Sequence, residues 1–570
     1  MTQEDRYKIV SNDFVDLFIS YNGNERLLNQ FPNATTQIMD ARYAIAYAPS
    51  SILSSNFISK YDYAALPHCY GLTSNISLEA SEVSKLRRIP NFNLQGDGVL
   101  MGIIDTGIDY TNSIFIHEDG TSKIISIWDQ TIDSEDQYPP NTFFGTEYNS
   151  EMINKAISNE HPLEIVPSVD EIGHGTMLAG IMVGSEVPLS NFSGLAPSAD
   201  IIVVKLKQAK QNLRDFLLIP KDVPCYQEND IMWAVHYIND ISTKLNRPCS
   251  ICIGLGTSQG SHDESGPLNE LLNYLSDFYG LAITVSAGNE GNSRRHFFGE
   301  IDPAVGKTTV ELYIGEKETG FSMELWGSAP DTYSIDILSP TGEFYPRIPE
   351  SLKSNREISF VFETTTISVN YRLIETSTGE QLILLRFKNP AMGVWRLQIY
   401  SKGNLPGNFH IWLPMGEFIT SDTYFIDPDR FTTITSPGNT MKPLTITAYN
   451  PSNKSLYDKA SKGYTRNNDI KPDLAAPGVN ITVPTLKKDF TSASGTGLAA
   501  AHTAGINAIL LEWGIINGYY PYMNSTIVKK YLIRGADRSR YLQYPNQDWG
   551  YGTINLYNTF NILRTDFPKV

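Results

Sequence analysis

Between about residues 98 and 300 the chain alternates short, unbroken apolar runs with amphipathic stretches, and this alternation constrains the fold more than any other feature. The apolar runs are Val99–Ile104, Ile201–Leu206, Ser250–Ile253 and Leu281–Ser286; helical spacing marks Thr176–Val183, Asp230–Ile241 and Leu268–Phe278 between them. A strand that is apolar on both faces must be covered on both faces, so the pattern predicts βαβ units and a parallel sheet between helices. From about 305 to 420 the period becomes two: Val310, Leu312 and Ile314 alternate with Glu311 and Tyr313, and Phe321, Met323 and Leu325 with Ser322, Glu324 and Trp326. Short alternating strands of this kind predict an antiparallel sandwich or jelly roll. After about 430 the α/β pattern returns, with a strand at Leu444–Tyr449 and helices at Leu498–Leu511 and Ser525–Arg534. The β region therefore reads as an insertion into one α/β domain.

The first 95 residues form a third regime, with a short helix at Asn24–Gln30, a strand at Arg42–Ala48 and a linker-like end in RRIPNFNLQGDGVL. The expected units are 1–95, a split core of 96–304 and 426–570, and the inserted β domain 305–425. Such a division suits 570 residues that are 41% hydrophobic and 11% aromatic. With 45 Lys+Arg against 62 Asp+Glu, the net charge of -17 argues against nucleic acid, whose phosphates call for a basic surface. Cys69, Cys225, Cys249 and Cys252 are too few for a disulfide framework. Cys249 and Cys252 have CxxC spacing but lie in the strand-like PCSICIGLG without a second ligand pair, so they read as buried thiols rather than a zinc hook. The beginning, MTQEDRYKIV, has no basic stretch leading into an apolar one, and no run of about 18 apolar residues follows; the expectation is a protein with no signal peptide and no membrane span. No carboxylate cluster has calcium-loop spacing, the scattered His68, His161, His236 and His410 read as surface or packing residues, and no cofactor or metal is expected.

Four segments of the α/β part carry chemistry. Gly102–Ile108 (GIIDTGI) ends an apolar strand in Asp105, at the strand edge where parallel sheets gather ligands. Gly173-His174-Gly175-Thr176 opens a helix, Ala287-Gly288-Asn289 closes a strand in a turn that can offer an amide, and Ser494-Gly495-Thr496-Gly497 leads into an Ala-rich helix. Each alone has an ordinary structural reading. In the order Asp, His, Asn, Gly-Thr-helix they resemble the subtilase family of serine proteases, over residues 98–300 and 430–560. By that resemblance Asp105 orients the imidazole, His174 is general base and acid, and Asn289 donates to the oxyanion. Ile470–Gly478 is similar to the strand before the nucleophile, and Gly254, Leu255 and Gly256 to the segment that pairs with extended substrate.

The family's nucleophile position holds Gly497, where Gly-Thr-Ser has become Gly-Thr-Gly. Loss of the nucleophile from such a triad costs on the order of a million-fold in turnover. Ser494 lies three residues earlier, roughly 10 Å along an extended chain, and Thr496 is expected to point elsewhere.

The large insertion, with SGLAPSADIIVVKLK, GTSQGSHD, AAAHTAG and DWGYGTINLYNTF, further resembles the clostridial Csp germination proteases, and the lost serine resembles the CspC-type pseudoproteases most. This implies a subtilisin-like α/β fold with an N-terminal prodomain and an inserted jelly roll. It also implies spore localisation and a regulatory role relaying germinant signals. The implied partners are a sister Csp protease or pseudoprotease, the zymogen of a cortex hydrolase, and a small-molecule germinant. Residues 1–95 resemble the prodomain, with Gln95 and Gly96 at its processing junction; without a nucleophile that bond is expected to stay intact and the prodomain to plug the cleft. The alternative is an active endopeptidase acting on the zymogen, in which Gly497 is an engineered change or another serine stands in for the missing one.

Overall fold

The computed structural model describes residues 2–77, 94–190, 192–402 and 407–566. The unbroken apolar runs assemble into one eight-stranded sheet, in the spatial order Leu474–Pro477, Leu444–Tyr449, Leu281–Ser286, Cys249–Ile253, Leu100–Asp105, Asp200–Lys205, Ile124–Asp129 and Thr146–Asn149. Every pairing is parallel except the last. Strand periodicity splits the side chains between two cores. Met101, Ile103, Ile201 and Val203 face the helices His174–Val183 and Thr496–Leu511. Leu100, Ile104, Ile202 and Val204 face the helices Glu228–Leu245 and Pro267–Leu275. Cys249 and Cys252 belong to opposite cores, so their CxxC spacing cannot form one ligand pair, and burial pushes the Cys249 thiol up to about 12. The stretch Thr496–Ile516 is long and apolar enough to cross a membrane, but 89% of its most apolar window is buried inside the fold.

The insertion consists of two antiparallel sheets of six and five strands around one core. It begins at His296 rather than near 305. The strand His296–Ile301 pairs in register with Gly407–Trp412, so the first and last strands of the six-stranded sheet's chain path lie side by side and the insertion leaves and rejoins the core at one place. Its period-two pattern also hides a second buried face. Phe321, Met323 and Leu325 fill the insertion's own core, while Trp326 on the other face packs with Leu382, Leu384 and Trp412 against the N-terminal unit.

The N-terminal unit is built on a three-stranded sheet (Phe14–Ser20, Tyr43–Pro49, Thr35–Ile38) whose buried apolar residues pack in cores shared with the other two units. Val15, Leu17 and Ile19 pack with Phe216 and Leu217 of the α/β core and with Trp326 and Phe418. Phe18, Ile45 and Tyr47 pack with Ile231 and Trp233. Polar groups close the seams. Glu324 of the insertion accepts from Tyr63 Oη of the N-terminal unit at 2.5 Å and from the Gly260 amide of the core at 2.9 Å, which joins all three units at one buried carboxyl. Asp16 accepts from Lys210 Nζ at 2.5 Å, Gln227 Nε2 at 3.0 Å and Asn229 Nδ2 at 3.1 Å, all of them buried.

Breaking a buried pair leaves an uncompensated charge, which costs about 3–5 kcal/mol. Asp16→Ala should therefore lower unfolding stability by about that amount in calorimetry or denaturant titration, and Asp16→Ala/Lys210→Met should recover much of the loss.

Candidate functional site

Asp105 is the last residue of its strand and is fully buried beside the first turn of the helix that His174 begins. Asp170 holds the two segments together. Its Oδ1 accepts from Thr106 Oγ1 at 2.8 Å and from the Gly173 amide at 2.7 Å, and its Oδ2 accepts from the Thr176 amide at 2.9 Å and hydroxyl at 2.8 Å. A carboxylate at a helix start takes up amides that have no partner within the helix. It is a positioning residue that the sequence reading passed over, although its place four residues before His174 was visible. His174 Nδ1 lies 2.7 Å from Asp105 Oδ1. Because a carboxylate only accepts, Nδ1 carries a proton and Nε2 is the ring's variable position. Burial works against charging this ring, but the charge and hydrogen bond of Asp105, with Asp170 behind it, outweigh that and raise its pKa above the ordinary histidine value.

Opposite the imidazole, Gly497 is the second residue of the helix Thr496–Leu511, and its amide points into the cleft with the side-chain amide of Asn289. Thr496 fixes the latter: its amide and hydroxyl donate to Asn289 Oδ1 at 3.2 and 3.1 Å, leaving Nδ2 free to face the cleft. Both nearby hydroxyls are held by hydrogen bonds away from the imidazole. Thr496 Oγ1 is bound to Asn289 and the Gly288 amide, and Ser494 Oγ accepts from the Asn480 amide at 3.0 Å. The strand immediately before this helix is Phe490–Gly495; the expected one, at Leu474–Pro477, forms the edge of the main sheet instead.

The cleft is filled by the chain's own residues 69–77. Cys69–Leu72 pairs antiparallel with Tyr226–Gln227 on one side and with Leu255–Gly256 on the other, and the Thr73 amide donates to the Gly254 carbonyl at 3.2 Å. The Gly254–Gly256 segment thus pairs with an extended strand, as its sequence suggested. Beyond Thr73 the chain continues into Ser74–Ser77, antiparallel to Phe490–Gly495. At the crossing, the Thr73 carbonyl oxygen accepts from Asn289 Nδ2 at 2.6 Å and from the Gly497 amide at 3.1 Å. Two converging donors on one carbonyl form an oxyanion hole. Ser74 Oγ lies 2.6 Å from His174 Nε2.

Gln95 and Gly96, the expected junction, lie away from the cleft. Both amides donate to the Glu512 carboxylate, at 2.9 and 2.6 Å, past the far end of the helix Thr496–Leu511. Sixteen helical residues separate those ends by about 24 Å. Gly96 has φ +83°, and a Cβ there would meet the Ala196 Cβ at 2.7 Å, so this glycine serves the turn into the first core strand. Asn93, placed beside the junction by sequence, lies outside the described residues. No sequence signal marks Thr73 and Ser74, since a Thr-Ser pair between short strands is an ordinary turn.

Residues 96–310 and 379–553 match the subtilase family, peptidase S8. The subtilisin-like protease SBT3.3 of Arabidopsis thaliana is 25% identical over 471 residues, 74% of this chain and 57% of its own length. The chain thus spans little more than half of such curated relatives. Serine protease AprX of Bacillus subtilis is 31% identical over 147 residues, 22% of this chain and 31% of its own. Among solved structures the Clostridium perfringens CspB protease aligns with a TM-score of 0.75 at 31% identity, over 84% of this chain and 95% of that one.

A raised pKa in the fold means that His174 stabilises the protein most below its unfolded value of about 6.5, and that this share is lost as pH rises through the folded value. Asp105→Asn removes the charge that opposes burial. The His174 resonance followed by NMR titration should then move from above the free histidine pKa to below it, and the stability slope above pH 6.5 should flatten.

Proposed function

Because the chain belongs to the subtilase family, we propose that it is a pseudoprotease: a subtilisin-like scaffold that no longer hydrolyses other polypeptides and acts through binding. One observation carries this reading. The position from which the family's serine attacks is Gly497, while the oxyanion donors beside it are occupied by the Thr73 carbonyl of the chain itself. A general base and an oxyanion hole remain, but a substrate meets neither a nucleophile nor an open cleft. The buried Asp16–Lys210 pair and the shared apolar core keep the N-terminal unit over the cleft as a lasting plug.

The likeness to the CspB protease supports a place among the Csp proteins of spores. In this reading the protein works beside an active sister Csp protease that processes a cortex-hydrolase zymogen, and relays a small-molecule germinant to it. Loss of the nucleophile fits the CspC type, and the surface left for signalling is the outside of the plugged assembly rather than its cleft. Co-purification with an active Csp protease, with and without bile salts or amino acids as germinant probes, tests it. A complex whose amount or activity changes with the probe supports the reading; no association under either condition overturns it.

The retained machinery can be checked separately. A Cβ on Gly497 would lie 2.7 Å from Ser74 Oγ, so a restored serine needs room. Gly497→Ser combined with Ser74→Ala should cut its own chain after Thr73, giving a new N-terminus at residue 74 by intact-mass analysis. An uncut double variant would mean that the oxyanion hole and His174 no longer support acyl transfer.

A further inference from the structure

The serine nearest to the imidazole belongs to the plug. Ser74 Oγ is 2.6 Å from His174 Nε2, and the carbonyl held in the oxyanion hole belongs to the residue directly before it. A Cβ placed on Gly497 would lie 2.7 Å from Ser74 Oγ and 3.5 Å from the Thr73 carbonyl carbon. Ser74 Oγ therefore stands beside the place from which the family's nucleophile attacks. It is also joined to its target through Cβ, Cα and N, so that attack closes a five-membered ring and χ1 rotation governs the approach. Such a tethered nucleophile has lost the freedom that a separate molecule would have to give up.

We propose that Ser74 cleaves the chain at its own peptide bond, by an N→O acyl shift from the Ser74 nitrogen to the Ser74 hydroxyl followed by hydrolysis of the ester. The Oγ–C bond to Thr73 forms as His174 Nε2 takes the hydroxyl proton. The tetrahedral oxygen gathers its negative charge between the Gly497 amide and Asn289 Nδ2. The C–N bond then breaks, and the imidazolium returns the proton to the Ser74 nitrogen, which becomes a free amine. Water adds to the resulting Thr73 ester with His174 again as base, and the C–Oγ bond breaks. The products are a chain ending in the Thr73 carboxyl group and a chain beginning at Ser74 with its hydroxyl restored. Water is the only co-reactant. The event happens once per molecule and is independent of the germination reading, because it concerns the chain's own bond and no partner. It would end the covalent attachment that a glycine at 497 implies, without releasing the plug, whose two halves stay paired to Tyr226–Gln227, Leu255–Gly256 and Phe490–Gly495.

The test is time-resolved intact-mass analysis of the full purified chain, with and without neutral hydroxylamine, which captures esters as hydroxamates. The expected result is slow conversion to fragments 1–73 and 74–570, with hydroxylamine raising the yield and leaving a hydroxamate on Thr73. The urea-unfolded chain should stay whole. Ser74→Ala should abolish the cut, and His174→Ala should slow it by about 100-fold or more, the scale of a lost general base. Asn289→Ala should slow it by a similar factor through loss of an oxyanion donor. Ser74→Cys should cut with dithiothreitol through a thioester. A folded wild-type chain that remains whole in hydroxylamine overturns the proposal, as does a cut at this bond that persists in Ser74→Ala.

Discussion

The carbonyl oxygen of Thr73 is held by two donors that arrive from different parts of the chain, and the rest of the cleft is arranged around that contact. The Gly497 amide is available because a helix leaves its first amides without internal partners. The Asn289 amide is available because Thr496 occupies its oxygen and turns its nitrogen inward. Once the carbonyl is seated, the register on both sides follows: Leu72 lies against Leu255, and Ser74 against Gly495. The same register carries the Ser74 hydroxyl to His174, so the buried imidazole has partners at both nitrogens, Asp105 and Ser74. The missing side chain at 497 is part of this fit, since a Cβ there would crowd both Ser74 Oγ and Thr73 Oγ1.

This contact is maintained because the N-terminal unit cannot leave cheaply. Its sheet shares one core with the α/β domain and another with the insertion, so departure would expose Trp326, Phe216 and Phe418 together with its own strands. Fully burying one large apolar side chain stabilises a fold by about 1.5–3 kcal/mol, and several are involved at once. Asp16, Lys210 and Glu324 would meanwhile be left with unpaired polar groups at those faces. The insertion acts here as a clasp over the N-terminal unit. That role explains why the strand Gly320–Gly327 is buried on both faces although its sequence alternates.

Much of the architecture was legible in the sequence because strands and helices of this class announce themselves through local periodicity. The apolar runs became the parallel sheet, and Asp105, His174 and Asn289 converge on one cleft with the Gly497 amide. The chain failed to announce features that depend on what lies across an interface. The insertion starts at His296 because of its pairing with Gly407–Trp412, and nothing within HFFGEI separates it from the preceding core. Gln95–Gly96 resembled a processing junction, but Gly96 is a glycine for the sake of a left-handed turn against Ala196. Asp170 was visible before the helix, yet its bonds to both Thr106 and Thr176 exist only once the two segments meet.

The sequence by itself determined that Asp105, His174 and Asn289 stand in segments like those of subtilases and that position 497 holds glycine, because those facts reside in residue identities within recognisable local segments. Only the tertiary structure decided which bond lies in the cleft and which hydroxyl meets the imidazole. Thr73 and Ser74 carry no local signature. Their chemistry arises from being drawn between Leu255–Gly256 and Phe490–Gly495, by backbone pairing that any residues of suitable size could make. Contacts of that kind are set by the packing of distant segments, and no pattern along the chain records them.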